Sequence, residues 1–160
     1  ISVIRNCKAA TLPNDLKDFF LNINMNASVH MNDKTQIIKQ TSVLHDMDSV
    51  YTLEQEWYDN GNKKLEGKYK DGKKEGKWIY WWKNGDKLYE SEYKDGKPEG
   101  KWIAWYEDGT KEWEQEFKNG NANGTCINYY NTPLCRVEAR GEFKNGKLEG
   151  NFERIESKRM

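Results

Sequence analysis

The stretch Leu65-Glu-Gly-Lys-Tyr-Lys-Asp-Gly-Lys-Lys-Glu-Gly-Lys-Trp78 is repeated almost residue for residue in Glu90-Ser-Glu-Tyr-Lys-Asp-Gly-Lys-Pro-Glu-Gly-Lys-Trp102, which ends 24 residues further on. Each copy carries an Asp-Gly pair and then a second glycine, Gly72 with Gly76 and Gly96 with Gly100. The pattern recurs as Gly120 with Gly124 and as Gly146 with Gly150, after Phe117 and Phe143 where the first copies have Tyr69 and Tyr93. A second series has the same 24-residue period: Gly61, Gly85 and Gly109 close Trp57-Tyr-Asp-Asn-Gly61, Trp82-Lys-Asn-Gly85 and Tyr106-Glu-Asp-Gly109. The last interval of the first series is 26 residues, which puts two extra residues into the final unit, between Pro133 and Gly141. A fixed period in this range marks a repeat architecture, in which each unit buries its apolar side against the next.

The unit reads as a β-hairpin. Asn-Gly or Asp-Gly between alternating segments is the strongest short-range hairpin signal, because both central residues of the tight turn take positive φ. Lys77-Trp-Ile-Tyr-Trp-Trp-Lys83 spans ~23 Å as one strand, Lys87-Leu-Tyr-Glu-Ser-Glu-Tyr93 returns, and Gly96-Lys-Pro-Glu-Gly100 turns the chain into the next unit. Pro13, Pro98 and Pro133 are all expected outside strand interiors, since a ladder position there would lack its N–H. Alternation places Trp78, Tyr80 and Trp82 on one face, followed by Trp102, Ala104 and Tyr106, and Ile79, Trp81, Ile103 and Trp105 on the other. Tyr89, Ser91 and Tyr93 share a face with Trp113, Gln115 and Phe117 on the return strands.

Seven Trp, nine Tyr and five Phe in 160 residues exclude disorder, and with few aliphatic residues they point to a thin core of rings, each burying roughly 150–250 Å². The expected fold class is mainly β, a sheet of tandem hairpins of about 24 residues over 51–160, with a small N-terminal α+β cap over 1–50. In the cap, Leu16, Phe19, Phe20 and Ile23 have helical spacing after Thr11-Leu-Pro13. Ala27–Met31 and Thr35–Leu44 read as strands around a turn at Asn32-Asp-Lys34, with another turn at Asp46-Met-Asp-Ser49 and a strand from Val50.

Charge is balanced, 26 basic against 26 acidic residues, so the global field points to no nucleic-acid partner. The balance hides a pattern. Glu90 and Glu92, then Glu112, Glu114 and Glu116, then Glu138 and Glu142 with Arg140 between them, form an acidic ladder on the return strands. The ladder, open to water, is expected to keep ordinary carboxylate pKa values. Lys70, Lys73, Lys74, Lys77, Lys94, Lys97, Lys101, Lys144 and Lys147 gather at the second set of turns.

At these residues the chain resembles the MORN repeat, in the variant found in the bacterial YwqK-type family of putative antitoxins. Residues 65–78 and 90–102 carry the match, which extends over roughly 53 to 152. Asn121-Ala-Asn-Gly124-Thr-Cys126 and Thr132-Pro133 depart from it, as an end unit does. The resemblance implies an elongated single-layer antiparallel sheet, a scaffold for protein interaction or for anionic phospholipid, a bacterial source, and no catalytic residues to carry over.

Chemistry of other kinds is not signalled. His30 and His45 have no metal-ligand spacing, no GxxxxGK[ST] loop is present, and Ser42 and Ser91 stand in no nucleophile motif. No catalytic residue, cofactor, metal or small-molecule substrate is expected. Cys7, Cys126 and Cys135 are either buried or indifferent thiols, or Cys126 and Cys135 form a staple. No leader pattern opens the chain at Ile1, and the compartment is cytoplasmic or, after removal of a leader, exported. The expected role is a protein-interaction module, of antitoxin or immunity type, that meets a basic partner through Trp81, Trp105, Glu90, Glu92, Glu112, Glu114 and Glu116. The alternative is an anionic membrane surface held by Lys70, Lys73, Lys74, Lys94 and Lys97. A third use, glycan stacking on Trp81 and Trp105, competes with burial of those rings by neighbouring units.

Overall fold

The computed structural model describes residues 2–5, 25–31, 37–46, 48–131 and 137–155. They form one 12-stranded antiparallel sheet in which the spatial order is the chain order. The strands are β1 (Ser2–Arg5), β2 (Met25–Met31), β3 (Ile37–Asp46), β4 (Ser49–Trp57), β5 (Lys63–Lys70) and β6 (Lys73–Trp81), continued by β7 (Lys87–Lys94), β8 (Lys97–Trp105), β9 (Lys111–Lys118), β10 (Asn121–Tyr129), β11 (Val137–Lys144) and β12 (Lys147–Arg154). The strands expected from Ala27, Thr35 and Val50 appear as β2, β3 and β4, hydrogen-bonded into the same sheet as the repeats. The helix expected over Leu16–Ile23 and the turn at Asn32–Lys34 lie outside the described residues.

The glycine period builds two unlike rows of connections. Asp71-Gly72, Asp95-Gly96, Asn119-Gly120 and Asn145-Gly146 have positive φ at both residues, as a two-residue hairpin turn with the twist of its strands requires. In the other row only the glycines, Gly61, Gly85 and Gly109, have positive φ. There the chain makes longer loops, each closed by Gly N–H donating back three residues, as Gly85 does to the Trp82 carbonyl at 3.0 Å. The tight turns are therefore the Asp-Gly pairs of the quoted stretch. Gly96-Lys-Pro-Glu-Gly100, expected to be the turn, is one turn residue followed by the first half of β8. Pro98 consequently lies in a strand, contrary to expectation. It is the second residue of β8, opposite Tyr93, and its carbonyl accepts from Gly120 N at 2.9 Å.

Both rows also join one unit to the next. Tyr58 hydroxyl donates to the Trp81 carbonyl at 2.8 Å, and the indole of Trp82, which sits in the loop rather than in the strand, donates to the Trp105 carbonyl at 3.1 Å. Asn60 and Asn84 side-chain amides donate to the Lys83 and Glu107 carbonyls. At the tight turns, the Glu75 carboxylate accepts from Asp95 N and the Glu99 carboxylate from Asn119 N, at 2.9 and 2.8 Å. The glutamate before the second glycine is thus a link to the following hairpin.

Packing follows from one layer and two faces. On the first face a central row runs Gly67, Trp78, Ser91, Trp102, Gln115, Cys126, Gly141 and Phe152, with small or slender residues between large rings. Trp78 is 1% exposed although no second sheet among the described residues covers it. Its ring lies so close over Gly67 that a Cβ there would be 2.2 Å away, and its indole N–H donates to the Lys68 carbonyl at 3.1 Å. Trp102 repeats the bond to the Glu92 carbonyl at 3.0 Å. Rings meet across the neighbouring rows as well, at 4.8 Å for Tyr69 with Trp78 and 4.5 Å for Trp102 with Phe117. Tyr89 and Trp113, two strands apart, reach 5.8 Å over Ala104, which is 5% exposed. Aromatic pairs at such distances add about 0.5–1.5 kcal/mol each beyond the area they bury.

Candidate interaction surface

The second face gathers Trp81, Trp105 and most of the acidic ladder. Its central row is Glu66, Ile79, Glu90, Ile103, Glu114, Ile127, Arg140 and Glu153, each residue opposite the next across the ladder. Glu92 faces Lys77 and Glu116 faces Lys101 beside this row. Glu112 is displaced from it. The register slips by one residue between Ala104 and Trp105, leaving Glu112 as the extra residue of a bulge, with Leu88 and Lys64 in the same position one and two units earlier.

The bulge has an electrostatic consequence. On a regular strand residues three apart point to opposite faces, but Lys87 reaches Glu90 at 2.6 Å and Lys111 reaches Glu114 at 2.9 Å, as Lys63 reaches Glu66. Lys77 and Lys101 approach Glu90 and Glu114 from the preceding strand, at 3.2 and 3.4 Å. The same three lysines lie over aromatic rings of the next strand: Lys63 over Trp81 at 5.6 Å, Lys87 over Trp105 at 5.5 Å and Lys111 over Tyr129 at 5.8 Å. The Glu90 and Glu114 units are therefore closed sets of glutamate, two lysines and a ring, whereas in the first unit Glu66 is held by Lys63 and by the Gln55 amide. The accessible side of Trp81 and Trp105 is shared with a lysine, which leaves less ring for a sugar to stack on.

The ladder is less open than its sequence suggests. Glu114 is only 7% exposed, and the expectation of ordinary carboxylate behaviour fails at two of its members. At Glu90 the hydrogen bond from Lys87, aided by Lys77, holds the carboxyl below its usual range. At Glu114 burial pushes the pKa up, but the Lys111 hydrogen bond, the charges of Lys111 and Lys101 and the Tyr129 hydroxyl outweigh it, and the net shift is down from 4.5. A depressed folded-state pKa contributes stability that is present above the unfolded value and lost as the pH falls through the folded one. Glu114→Gln should thus cost about 1 kcal/mol at pH 7, with the difference from the native chain shrinking below pH 4.5. Urea unfolding at pH 7 and pH 3 measures it, and a difference undiminished at pH 3 contradicts the assignment.

The lysines divide by position. Lys77 and Lys101, expected among the turn lysines, belong to the strand sets just described. Lys74 is on the ring-rich face, with its ammonium 4.1 Å from the Trp78 ring centre and 4.9 Å from that of Tyr93, donating to the Tyr80 hydroxyl at 3.3 Å. Lys70 and Lys73 sit directly opposite each other beside one tight turn, Lys94 and Lys97 beside the next, and Lys144 and Lys147 beside the last. Among the described residues Lys70, Lys73, Lys94, Lys97 and Lys147 make no ion pair, and neither do Lys68, Lys74 and Lys118, so unpaired positive charge gathers at this end of the strands.

The sequence points to an aromatic-rich sheet face with the acidic ladder, but the rings it names for binding are Trp81 and Trp105, not those of the ring-rich face. That face carries Tyr80, Tyr89, Tyr93, Trp102 and Trp113, all half-buried and in mutual contact. Burial raises the Tyr89 hydroxyl far above the phenol range, so it stays a neutral donor. Two hollows among the described residues on the glutamate face, of about 240 and 600 Å³, are open and lined by paired charges such as Glu66, and Arg140 with Glu153. Cys126 is a free thiol opposite Gly141, raised in pKa by burial, and Cys135 lies outside the described residues. Among the described residues no group of three or more His, Cys, Asp or Glu is placed to hold a metal ion. The chain matches no protein-family model and no curated protein sequence.

Proposed function

We propose that this chain is a non-enzymatic repeat scaffold of MORN type that binds another protein across the ring-rich face of its sheet, as an antitoxin or immunity-type inhibitor would. The observation that carries the reading is the unbroken patch of Tyr80, Tyr89, Tyr93, Trp102 and Trp113, half-buried on a sheet that has no second layer among the described residues. Rigid Tyr and Trp side chains, already held by their neighbours, lose little entropy on binding and are the usual energetic anchors of interfaces. The acidic ladder contributes less than its sequence suggests, because Glu90 and Glu114 are each held by two lysines. Glu92 and Glu116 are exposed and keep a place in selecting a basic partner.

The immobilised chain should retain a specific protein from an extract of its native host. Tyr93→Ala with Trp113→Ala should weaken that complex about 30-fold, the effect of removing ~2 kcal/mol of anchor energy, while the sheet still melts cooperatively. No retained protein, or equal retention by the folded variant, refutes the reading. A second reading, an anionic phospholipid surface, is favoured by the row of unpaired lysines at the tight turns and by about 1 kcal/mol per near-surface lysine. Flotation with phosphatidylserine vesicles at low salt distinguishes it: association lost in Lys73→Glu with Lys97→Glu supports the membrane, and no association removes it.

A further inference from the structure

Three junctions between successive hairpins can be compared place by place: β6 with β7, β8 with β9 and β10 with β11. The first two are closed by the same kinds of side-chain link. Glu75 accepts from Asp95 N across one and Glu99 from Asn119 N across the other, at 2.9 and 2.8 Å. Lys77 reaches Glu90 at 3.2 Å and Lys101 reaches Glu114 at 3.4 Å. Rings cross both, Tyr80 to Tyr89 at 5.9 Å and Trp102 to Phe117 at 4.5 Å, and Trp78 and Trp102 stand on the central row opposite Ser91 and Gln115. At the third junction each kind of link has changed. Asn123 stands in place of the glutamate, and among the described residues it accepts no bond from Asn145 N. Thr125 replaces the lysine and Arg140 its glutamate, so that charge pair cannot form, and Arg140 pairs with Glu153 of β12 at 3.4 Å. Cys126 replaces the central tryptophan, opposite Gly141. The junction keeps its backbone ladder, the bond from Gly146 N to the Ala122 carbonyl at 2.8 Å and an exposed bond from the Thr125 hydroxyl to Glu142 at 2.8 Å.

We propose that the sheet is built to part between β10 and β11, with the β11–β12 hairpin swinging out as one piece while β6 to β9 stay closed. A carboxylate that accepts from an amide is roughly twice as strong an acceptor as a neutral group, and aromatic contacts add to it at the first two junctions. Losing these links at one junction places its opening below global unfolding, as a separate cooperative step. The hairpin leaves whole because its own strands are fastened to each other. A Cβ at Gly141 would stand 2.5 Å from Phe152 Cδ2, the packing of ring on glycine that joins Trp78 to Gly67, and Asn145-Gly146 form the tight turn. The weak seam is internal, with strands on both sides of it, and does not depend on what adjoins β12. Opening bares the pairing edge of β10, which contains the half-buried Cys126. The ring patch on β6 to β9 is untouched, so the seam and the proposed interface operate separately.

Amide hydrogen exchange of the full chain in rising, sub-denaturing urea tests this. Amides of β11 and β12 should share one opening, populated at least about 10-fold more than the opening that exposes β6 to β9, a difference of about 1.4 kcal/mol. Asn123→Glu restores the missing acceptor and should slow exchange in β11 and β12 together by about 10-fold, with β6 to β9 unchanged. Alkylation of Cys126, followed by peptide mapping, should slow in the same variant. Three results overturn the proposal. In the first, β11 exchanges through the same opening as β6 to β9. In the second, β12 exchanges alone, as a fraying end does, and β11 does not respond to Asn123→Glu. In the third, that variant changes exchange in neither strand.

Discussion

Trp78→Ala should lower the free energy of unfolding by about 4 kcal/mol, near the top of the range for truncating a buried ring. Four contacts are lost together. The ring packs on Gly67, meets Tyr69 edge-on at 4.8 Å, carries the Lys74 ammonium at 4.1 Å and satisfies the Lys68 carbonyl through its indole N–H. In a two-layer domain the opposite layer can relax into such a cavity, but the described residues form one layer with none on this face, and the Lys74 side chain loses its support as well. The Lys68 carbonyl, beside the bulge between Glu66 and Lys68, loses the indole as a donor. Urea unfolding followed by tryptophan fluorescence and by circular dichroism gives the value. A loss below ~1.5 kcal/mol would mean that the sheet is not organised around this ring, since surface substitutions rarely exceed ~0.5 kcal/mol.

Gly67→Ala should cost about 2–3 kcal/mol, and its sign should change in the background of the first substitution. A Cβ at residue 67 would stand 2.2 Å from Trp78 Cδ2 and 2.4 Å from Cε2 and Cε3, all within the fused part of the ring, which cannot bend aside. The ring must tilt, and the cost is that of overpacking a tight core. With Trp78→Ala the clash disappears, and alanine replaces glycine inside a strand, where glycine is itself unfavourable by about 0.5–1 kcal/mol. The double variant should therefore be slightly more stable than Trp78→Ala alone, with a coupling of about 3 kcal/mol. If Gly67→Ala costs the same with and without Trp78, the contact does not exist in solution.

The hairpin period was readable because it is written in glycine, where backbone geometry leaves little choice: positive φ at Gly72, Gly96, Gly120 and Gly146 follows from the Asx-Gly pair alone. The assignment of faces followed from alternation and is reproduced in the register of Trp78 with Ser91 and of Ile79 with Glu90. What escaped is set by the bulges. Nothing in Lys87-Leu-Tyr-Glu90 says that the register slips at Leu88, yet the slip brings Lys87 to Glu90 and converts an open acidic ladder into closed charge sets. The signal was present as a Lys-x-x-Glu spacing at 63, 87 and 111, but on a regular strand such spacing separates the two residues. Pro98 misled for a related reason. Proline is excluded only from positions that must donate, and the second residue of β8 is spared by the turn it follows. The rings of the ring-rich face were not named as candidates because alternation cannot tell a packed ring from an accessible one where the described strands form a single layer.

The unlike character of the two rows of connections gives the sheet two different rims, yet neither rim is of one sign. Among the described residues the tight turns set facing lysine pairs beside Asp71 and Asp95, with Glu75 and Glu99 two residues further on, and the longer loops set Asp59, Asp86, Glu107 and Asp108 beside Lys83 and beside Lys63, Lys87 and Lys111, which open the next strands. Charges of opposite sign so close together cancel beyond about a Debye length, roughly 8 Å at physiological ionic strength. A charged object would feel this protein only on close approach, and long-range steering would contribute little to how the two meet.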